Sequence, residues 1–188
     1  MTQQQTLQVQ SINQQNAGFF SELAYEPIGG TAALGAPGSP EQSFSDKGDG
    51  LSVSNFPGWT EITALPGTTT TIASLITTLT NGTDVPNSQG VFSNQFRVFT
   101  NGSEVVFAFK GSSNTANFID DLTTSGGKAF LQLQPVFNAV FDALKSDPTY
   151  ANAQFIVDGH SLGGGLAQSF ALADNLSGYG PDIKIEKR

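Results

Sequence analysis

Residues 155–165 read FIVDGHSLGGG, and this stretch decides the fold. The apolar residues at 155–157 predict a short buried strand, and the spacing of apolar residues over 162–176 predicts a helix. Between them lies Ser161 in a Gly-x-Ser-x-Gly pattern, where a sharp turn from strand to helix lifts the serine hydroxyl above the sheet. The surrounding glycines leave room for the strand and the helix to approach closely.

Strands and helices are also predicted on the N-terminal side of this turn. Two apolar runs, 96–99 and 105–109, flank Asn101-Gly102, a pair typical of a two-residue hairpin turn. A kink or break is expected where Pro135 interrupts a helical pattern. Further predicted elements are helices at 11–25, 68–79 and 130–144 and strands at 59–65 and 183–185. The order strand, helix, strand, helix in the second half favours an α/β fold, with a mostly parallel sheet and crossover helices.

Composition narrows the classes of function. The chain has 188 residues, which suits a single domain over 1–188, and 38% of them are hydrophobic, enough for a substantial core. Its formal net charge of −8 excludes nucleic acid as a partner, because phosphates would repel it. It contains no cysteine, which excludes disulfides, thiolate metal sites and cysteine nucleophiles. The N-terminal residues lack the pattern of a secretory signal peptide, and no segment has the ~18 apolar residues of a membrane span.

Two segments together resemble the class 3 lipase family, the fungal-type triacylglycerol lipases and their bacterial relatives. One is the stretch at 155–164, and the other reads VVFAFKGSS at 105–113, followed by NFIDDL at 117–122. In that family the second segment is a strand, then Arg-Gly-Ser or Arg-Gly-Thr, then a lid with tryptophan, then Asp-Leu. Here Lys110 stands in place of the arginine and Phe118 in place of the tryptophan.

The resemblance implies an α/β-hydrolase fold and a serine carboxylic ester hydrolase acting on lipids, either a triacylglycerol lipase or a phospholipase A1. By this resemblance Ser161 is the nucleophile, and the N–H groups of Ser112 and Leu162 form the oxyanion hole. The lid or substrate groove falls at Ser113, Asn114, Asn117 and Phe118. The expected partner is a lipid or ester substrate, with interfacial contact to lipid aggregates through the lid. The chemistry needs no cofactor or metal, and secretion is expected, as for many such lipases.

The catalytic acid and histidine are missing from this pattern. In α/β-hydrolases they follow the serine, acid first and histidine last. After Ser161 the chain has only Asp174, Asp182 and Glu186 as acids, and no histidine. Asp174 falls on the predicted helix and Asp182 precedes the last predicted strand, so neither is expected to be the triad acid. The single histidine, His160, precedes the serine and is expected to face away from it, in a structural role. We therefore expect this chain to form the N-terminal part of the fold, truncated before the last strands and nearly inactive alone. The missing half would either follow in a longer protein or be a separate chain.

Two other functions remain open from the sequence. A non-catalytic protein of the same fold could use the groove to bind a lipid or another protein. An acyltransferase would use the same serine with an alcohol other than water as the acceptor.

Overall fold

Short, mostly apolar runs form the central strands, and longer runs with helical spacing form the helices packed on them. The computed structural model describes residues 12, 14–24, 53–79, 96–111, 127–180 and 183–185. The helices are α1 (Gln14–Leu23), α2 (Ile72–Leu79), α3 (Gly127–Ser146) and α4 (Leu162–Asp174), with a 3-10 turn at Val53–Asn55. The strands are β1 (Thr60–Glu61), β2 (Phe96–Thr100), β3 (Glu104–Phe109), β4 (Gln154–Gly159), β5 (Ser177–Gly180) and β6 (Ile183–Ile185).

The six described strands form one sheet in the order β1-β2-β3-β4-β5-β6, which confirms an α/β class. Strands β3, β4 and β5 are parallel, whereas β1 with β2, β2 with β3, and β5 with β6 are antiparallel. The prediction of a mostly parallel sheet therefore needs correction, because the sheet is mixed and parallel only at its centre. Connection length explains part of the mixture: helices α3 and α4 link the parallel strands, whereas short connections join β2 to β3 and β5 to β6, which are antiparallel neighbours.

The hairpin between β2 and β3 turns one residue later than predicted. Thr100 pairs with Val105, so the two loop residues are Gly102 and Ser103 rather than Asn101-Gly102. Gly102 has φ +89, the left-handed backbone that favours glycine at the first position of such a turn. The Asn101 side chain instead accepts hydrogen bonds from the N–H groups of Ser103 at 3.0 Å and Glu104 at 2.7 Å.

The sheet is buried on both faces. Helices α2, α3 and α4 share one hydrophobic cluster with the residues of β2, β3 and β4 that point to one side, Phe107 and Val157 among them. Helix α1 covers the opposite side, where Phe20 packs with Phe99 and Trp59. All six residues of β3 are buried, as its apolar sequence predicts.

Two predicted helices differ in detail from the structure. Helix α2 begins at Ile72 rather than at 68, because Thr71 bridges to Ala64 and its hydroxyl accepts from the N–H of Ser74 at 3.1 Å. Helix α3 continues through Pro135, so no break occurs there. Within the described ranges, no helix is long and apolar enough to cross a membrane.

Candidate active site

Three backbone segments lie in contact where β4 ends, and glycine residues leave the space that this contact needs. A Cβ atom on Gly159 would lie 2.2 Å from the carbonyl oxygen of Gly163, and one on Gly163 would lie 2.2 Å from that of Phe109. Real Cβ atoms do not approach other atoms so closely, so both positions require glycine. The end of β4, the start of α4 and the end of β3 are therefore in direct backbone contact at the strand–helix turn (residues 159–163).

Ser161 occupies the tip of this turn in an unusual backbone conformation. Its φ is 58 and its ψ is −125, and its side chain is exposed. Asn175 is the other described non-glycine residue with positive φ, but it ends α4 in the left-handed conformation that commonly terminates helices. The positive φ of Ser161 has no such explanation, because its side chain makes no capping hydrogen bond to α4. Strain of this kind costs about 1–3 kcal/mol and is found most often at functional sites.

Helix α4 starts directly behind this serine. The carbonyl of Ser161 accepts the N–H of Gly165 at 3.2 Å, which closes the first turn of the helix. The N–H groups of the first helical residues, including Leu162, have no acceptor within the helix. Together with the helix dipole they favour negative charge beside Ser161. Leu162 itself is 3% exposed, so its side chain anchors the helix start in the core.

The second expected oxyanion donor, Ser112, lies outside the described residues. So do the expected lid or groove residues Ser113, Asn114, Asn117 and Phe118, and the acids Asp182 and Glu186. The chain that leads to Ser112 is described as far as Gly111. The preceding backbone, at Phe109 and Lys110, lies against Gly163, since a Cβ there would be 2.8 Å from the carbonyl carbon of Lys110. Strand β3 therefore ends beside the start of α4.

Asp174 is too far from Ser161 to serve as its catalytic acid. The two residues lie at opposite ends of α4, which has 13 residues and is about 20 Å long. Burial raises the pKa of Asp174, and the negative charge of Asp142 raises it further. Asp174 lines a groove of about 260 Å³ with Lys145, Phe155 and Ser177, where β4 and β5 begin. This groove lies at the end of the sheet opposite to Ser161.

The strand that leads into the turn carries a buried carboxyl group. Asp158 is 2% exposed, and main-chain N–H groups of Gly159 and of Ser21 on α1 hydrogen-bond to it. Burial raises the pKa of Asp158 to about 8, although these two hydrogen bonds lower it. Its Oδ2 atom has no hydrogen-bond partner among the described residues.

The sequence did not lead us to predict Asp158 or Arg97, two buried polar residues on the same face of the sheet. Arg97 is 2% exposed and binds Glu61 through two hydrogen bonds of 2.8 and 2.7 Å. It also donates to the carbonyl of Leu23, the last residue of α1, at 2.6 Å. At both positions a charged residue lies within an otherwise apolar strand, and this pattern could have indicated a buried polar group.

Comparison of the chain with protein-family models, with curated proteins and with solved structures found no match. We therefore infer function from the geometry of the strand–helix turn and from the chemistry of its residues.

Proposed function

We propose that this chain supplies the nucleophile and the oxyanion hole of a serine carboxylic ester hydrolase with an α/β-hydrolase fold. Ser161 attacks the ester carbonyl carbon, and the alcohol leaves while the acyl group is bound to the serine oxygen. Water then attacks the acyl-enzyme and releases the acid, which restores the serine hydroxyl. The substrate class is a lipid ester, either a triacylglycerol or a phospholipid cleaved at its first acyl position.

The observation that carries this proposal is the conformation of Ser161. Glycine would occupy positive φ without strain, yet the chain places a serine there, exposed at the tip of the turn. An exposed, strained serine between a buried strand and a helix start is the arrangement in which α/β-hydrolases hold their nucleophile. An ordinary glycine-rich turn would not need a side chain at this position.

The start of α4 supports the oxyanion hole. The N–H of Leu162 is the donor that follows the nucleophile, and the proposed second donor is the N–H of Ser112. The backbone of Phe109 and Lys110, which precedes Ser112 in the chain, lies against Gly163 at the start of α4. Loss of one such donor typically lowers the rate by about 10²–10³.

Aromatic packing at this end of the sheet is compatible with an apolar acyl group. Phe109, the last residue of β3, stacks on Phe170 with centroids 4.9 Å apart, and Phe130 on α3 approaches Phe170 at 4.7 Å. Phe130 is only partly buried, and the next residue, Leu131, is 67% exposed. Helix α3 therefore presents apolar surface where it begins, near the end of β3.

The general base must come from outside these 188 residues in this mechanism. His160 is the one histidine of the chain, and it adjoins Ser161 on the strand side of the turn. A histidine elsewhere would take the serine proton and pass it to the leaving alcohol, and an acid would orient that histidine. Removal of the base from a serine hydrolase lowers turnover by about 10⁶, so residues 1–188 alone should be almost inactive.

Hydrolysis of p-nitrophenyl esters tests the proposal in the protein expressed from its complete reading frame. We expect Ser161→Ala to abolish release of p-nitrophenol, whereas Ser146→Ala, at an exposed position at the end of α3, should leave it unchanged. Esters of long and short acids, together with phospholipid substrates, would distinguish the substrate classes, and product analysis would distinguish hydrolysis from acyl transfer. Full activity in Ser161→Ala would refute the assignment.

A non-catalytic lipid-binding protein is the second candidate, and the single histidine favours it. Such a protein would bind lipid vesicles equally well with and without the Ser161 hydroxyl and would hydrolyse no ester. Vesicle binding measured beside hydrolysis, on wild type and Ser161→Ala, separates the two functions.

A further inference from the structure

Phe109, the last residue of β3, contacts α4 at two positions on the same face of the helix. Its carbonyl oxygen lies so close to Gly163 that a Cβ atom there would be only 2.2 Å away. Its ring stacks on that of Phe170, with centroids 4.9 Å apart and planes at 6°. Gly163 and Phe170 are seven residues apart, which is almost two full turns, so they share one face and lie about 10 Å apart along the axis.

These two contacts together restrict both the position and the tilt of α4. The backbone contact at Gly163 sets how closely the start of the helix approaches β3, but a helix held at one point can still tilt about it. The ring contact at Phe170 lies nearly two turns further along and opposes that tilt. Aromatic side chains on a helix point back toward its N-terminus, which lets Phe170 reach the strand residue that also contacts Gly163.

The proposed oxyanion donor lies directly beside the backbone contact. The N–H of Leu162 belongs to the residue before Gly163, at the start of α4. Such a donor must lie about 2.7–3.1 Å from the position that the oxyanion will occupy. A tilt of α4 changes this distance, so the orientation of the helix matters for the stabilisation of the transition state.

Burial separates the role of Phe109 from contact with the substrate. Phe109 and Phe170 are both 0% exposed, so neither ring can touch an ester bound at Ser161. Phe107, two residues earlier on the same strand, is also 0% exposed and belongs to the same hydrophobic cluster. Its ring packs at 4.7 Å on Phe137 of α3. The two phenylalanines of β3 are therefore equally buried but pack most closely on different helices.

We propose that Phe109 is a positioning residue for the oxyanion hole, because its backbone and its ring together fix the start of α4, and with it the N–H of Leu162, against β3. This inference rests on the proposed function. Negative charge on the substrate oxygen develops in the transition state, so a displaced donor weakens the transition state more than it weakens binding of the ester. Loss of the ring contact should therefore lower kcat and leave KM nearly unchanged.

Hydrolysis of a p-nitrophenyl ester by the full-length protein tests this inference with the matched variants Phe109→Leu and Phe107→Leu. Both remove a buried ring from the same face of β3, so both should lower Tm by similar amounts. Phe109→Leu should lower kcat by about 10–100-fold, since a displacement of about 1 Å can cost 10²-fold. It should also slow the labelling of Ser161 by a fluorophosphonate by the same factor, whereas Phe107→Leu should keep the wild-type kcat. Equal losses of kcat in the two variants, or none in Phe109→Leu, would overturn the proposal.

Removal of the other ring tests whether the stack itself is responsible. Phe170→Leu should lower kcat in the same way, from the helix side of the contact. The double variant Phe109→Leu/Phe170→Leu should lose little more kcat than either single variant, because the second substitution removes a contact that is already lost. Losses that multiply in the double variant would show that the two rings act independently and would overturn the stack as the positioning contact.

Native-state hydrogen exchange of the wild-type protein decides the inference if these variants do not fold. The N–H of Gly165 donates to the carbonyl of Ser161 at 3.2 Å, in the first turn of α4. We expect its protection to be within about tenfold of that of the Phe170 N–H, because the first turn opens only when the stack opens. Weaker protection at Gly165 would overturn the proposal. Absence of both hydrolysis and labelling in the wild type would refute the proposed function, and the exchange measurement would then judge the contact itself.

Discussion

The close packing at Gly163 predicts opposite effects for two alanine substitutions in the first turns of α4. A Cβ on Gly163 would lie 2.2 Å from the carbonyl oxygen of Phe109, whereas a Cβ on Gly165 would meet nothing within 4 Å. Both residues are helical, so both alanines gain the same intrinsic helix propensity, about 1 kcal/mol. The pair therefore isolates the contact between the helix start and β3.

The cost at Gly163 follows from which atoms would have to move. The contacts are backbone atoms of Phe109 and Lys110, and both residues are completely or almost completely buried. An added methyl group in a core without space costs about 1–3 kcal/mol. Because a 2.2 Å contact with buried backbone cannot be relieved by a side-chain rotation, we take the upper end of this range, about 3 kcal/mol, for Gly163→Ala. The propensity gain of about 1 kcal/mol reduces this cost to a net loss of about 2 kcal/mol, whereas Gly165→Ala should gain about 1 kcal/mol. For a chain of this size the difference corresponds to about 10 °C in Tm.

Thermal unfolding followed by circular dichroism measures this difference, and urea unfolding gives the free energies directly. Gly163→Ala should also label with fluorophosphonate about 10²-fold more slowly, because displacement of α4 moves the N–H of Leu162. If Gly163→Ala proves as stable and as reactive as Gly165→Ala, the backbone contact described at the strand–helix turn is wrong.

Three further substitutions test the strain and the buried charges. Ser161→Gly should raise the free energy of unfolding by about 1 kcal/mol while abolishing activity, because glycine adopts a positive φ without strain. Asn175→Gly should change stability much less, and equal gains in the two variants would contradict functional strain at Ser161. From about pH 4 to pH 8 the folded state retains the Asp158 proton that the unfolded state releases, so Asp158 should lower the free energy of unfolding by about 1.4 kcal/mol per pH unit. The difference between the pH slopes of wild type and Asp158→Asn in urea unfolding measures this contribution, and equal slopes would contradict it. Arg97→Met removes the ion pair with Glu61 from a largely buried site and should cost about 3–5 kcal/mol in urea unfolding, largely recovered by Glu61→Leu in the double variant; a neutral single variant would show that the pair is not buried.

The strand and the helix on either side of the strand–helix turn could be predicted, because their apolar patterns and the glycines between them all indicate the same structure. Residues 155–157 are apolar, Gly159 comes two positions later, and helical spacing starts at Leu162, so the sequence predicts both the strand and the helix correctly. The hairpin was also predictable, although the pairing of Thr100 with Val105 places its turn one residue later.

Strand β5 could not be read from the sequence. Its residues, Ser-Gly-Tyr-Gly at 177–180, have the composition of a turn, yet they pair in parallel with β4. Gly178 is needed there, since a Cβ would lie 2.9 Å from the Val157 side chain and 3.3 Å from that of Ala171. Tertiary contacts thus decide this strand, and local propensity does not.

Only part of the candidate site could be predicted from the sequence. The Gly-x-Ser-x-Gly pattern identifies Ser161 and the close contact between Gly159 and Gly163, because both depend on neighbouring residues. The contact of Gly163 with Phe109 joins distant parts of the chain, and the pattern does not report it. The hydrogen bond between Asp158 and α1 joins residues far apart in the chain, and no local pattern reports it. The same holds for Arg97, whose partners Glu61 and Leu23 lie on two other elements.

The most direct test of the central claim is a crystal structure of the full-length protein after reaction with a phosphonate ester. The account predicts a covalent bond from Ser161 Oγ to phosphorus, with the phosphoryl oxygen about 2.7–3.1 Å from the N–H nitrogens of Leu162 and Ser112. Phosphorus bound to another residue, or a phosphoryl oxygen directed away from both nitrogens, would contradict it.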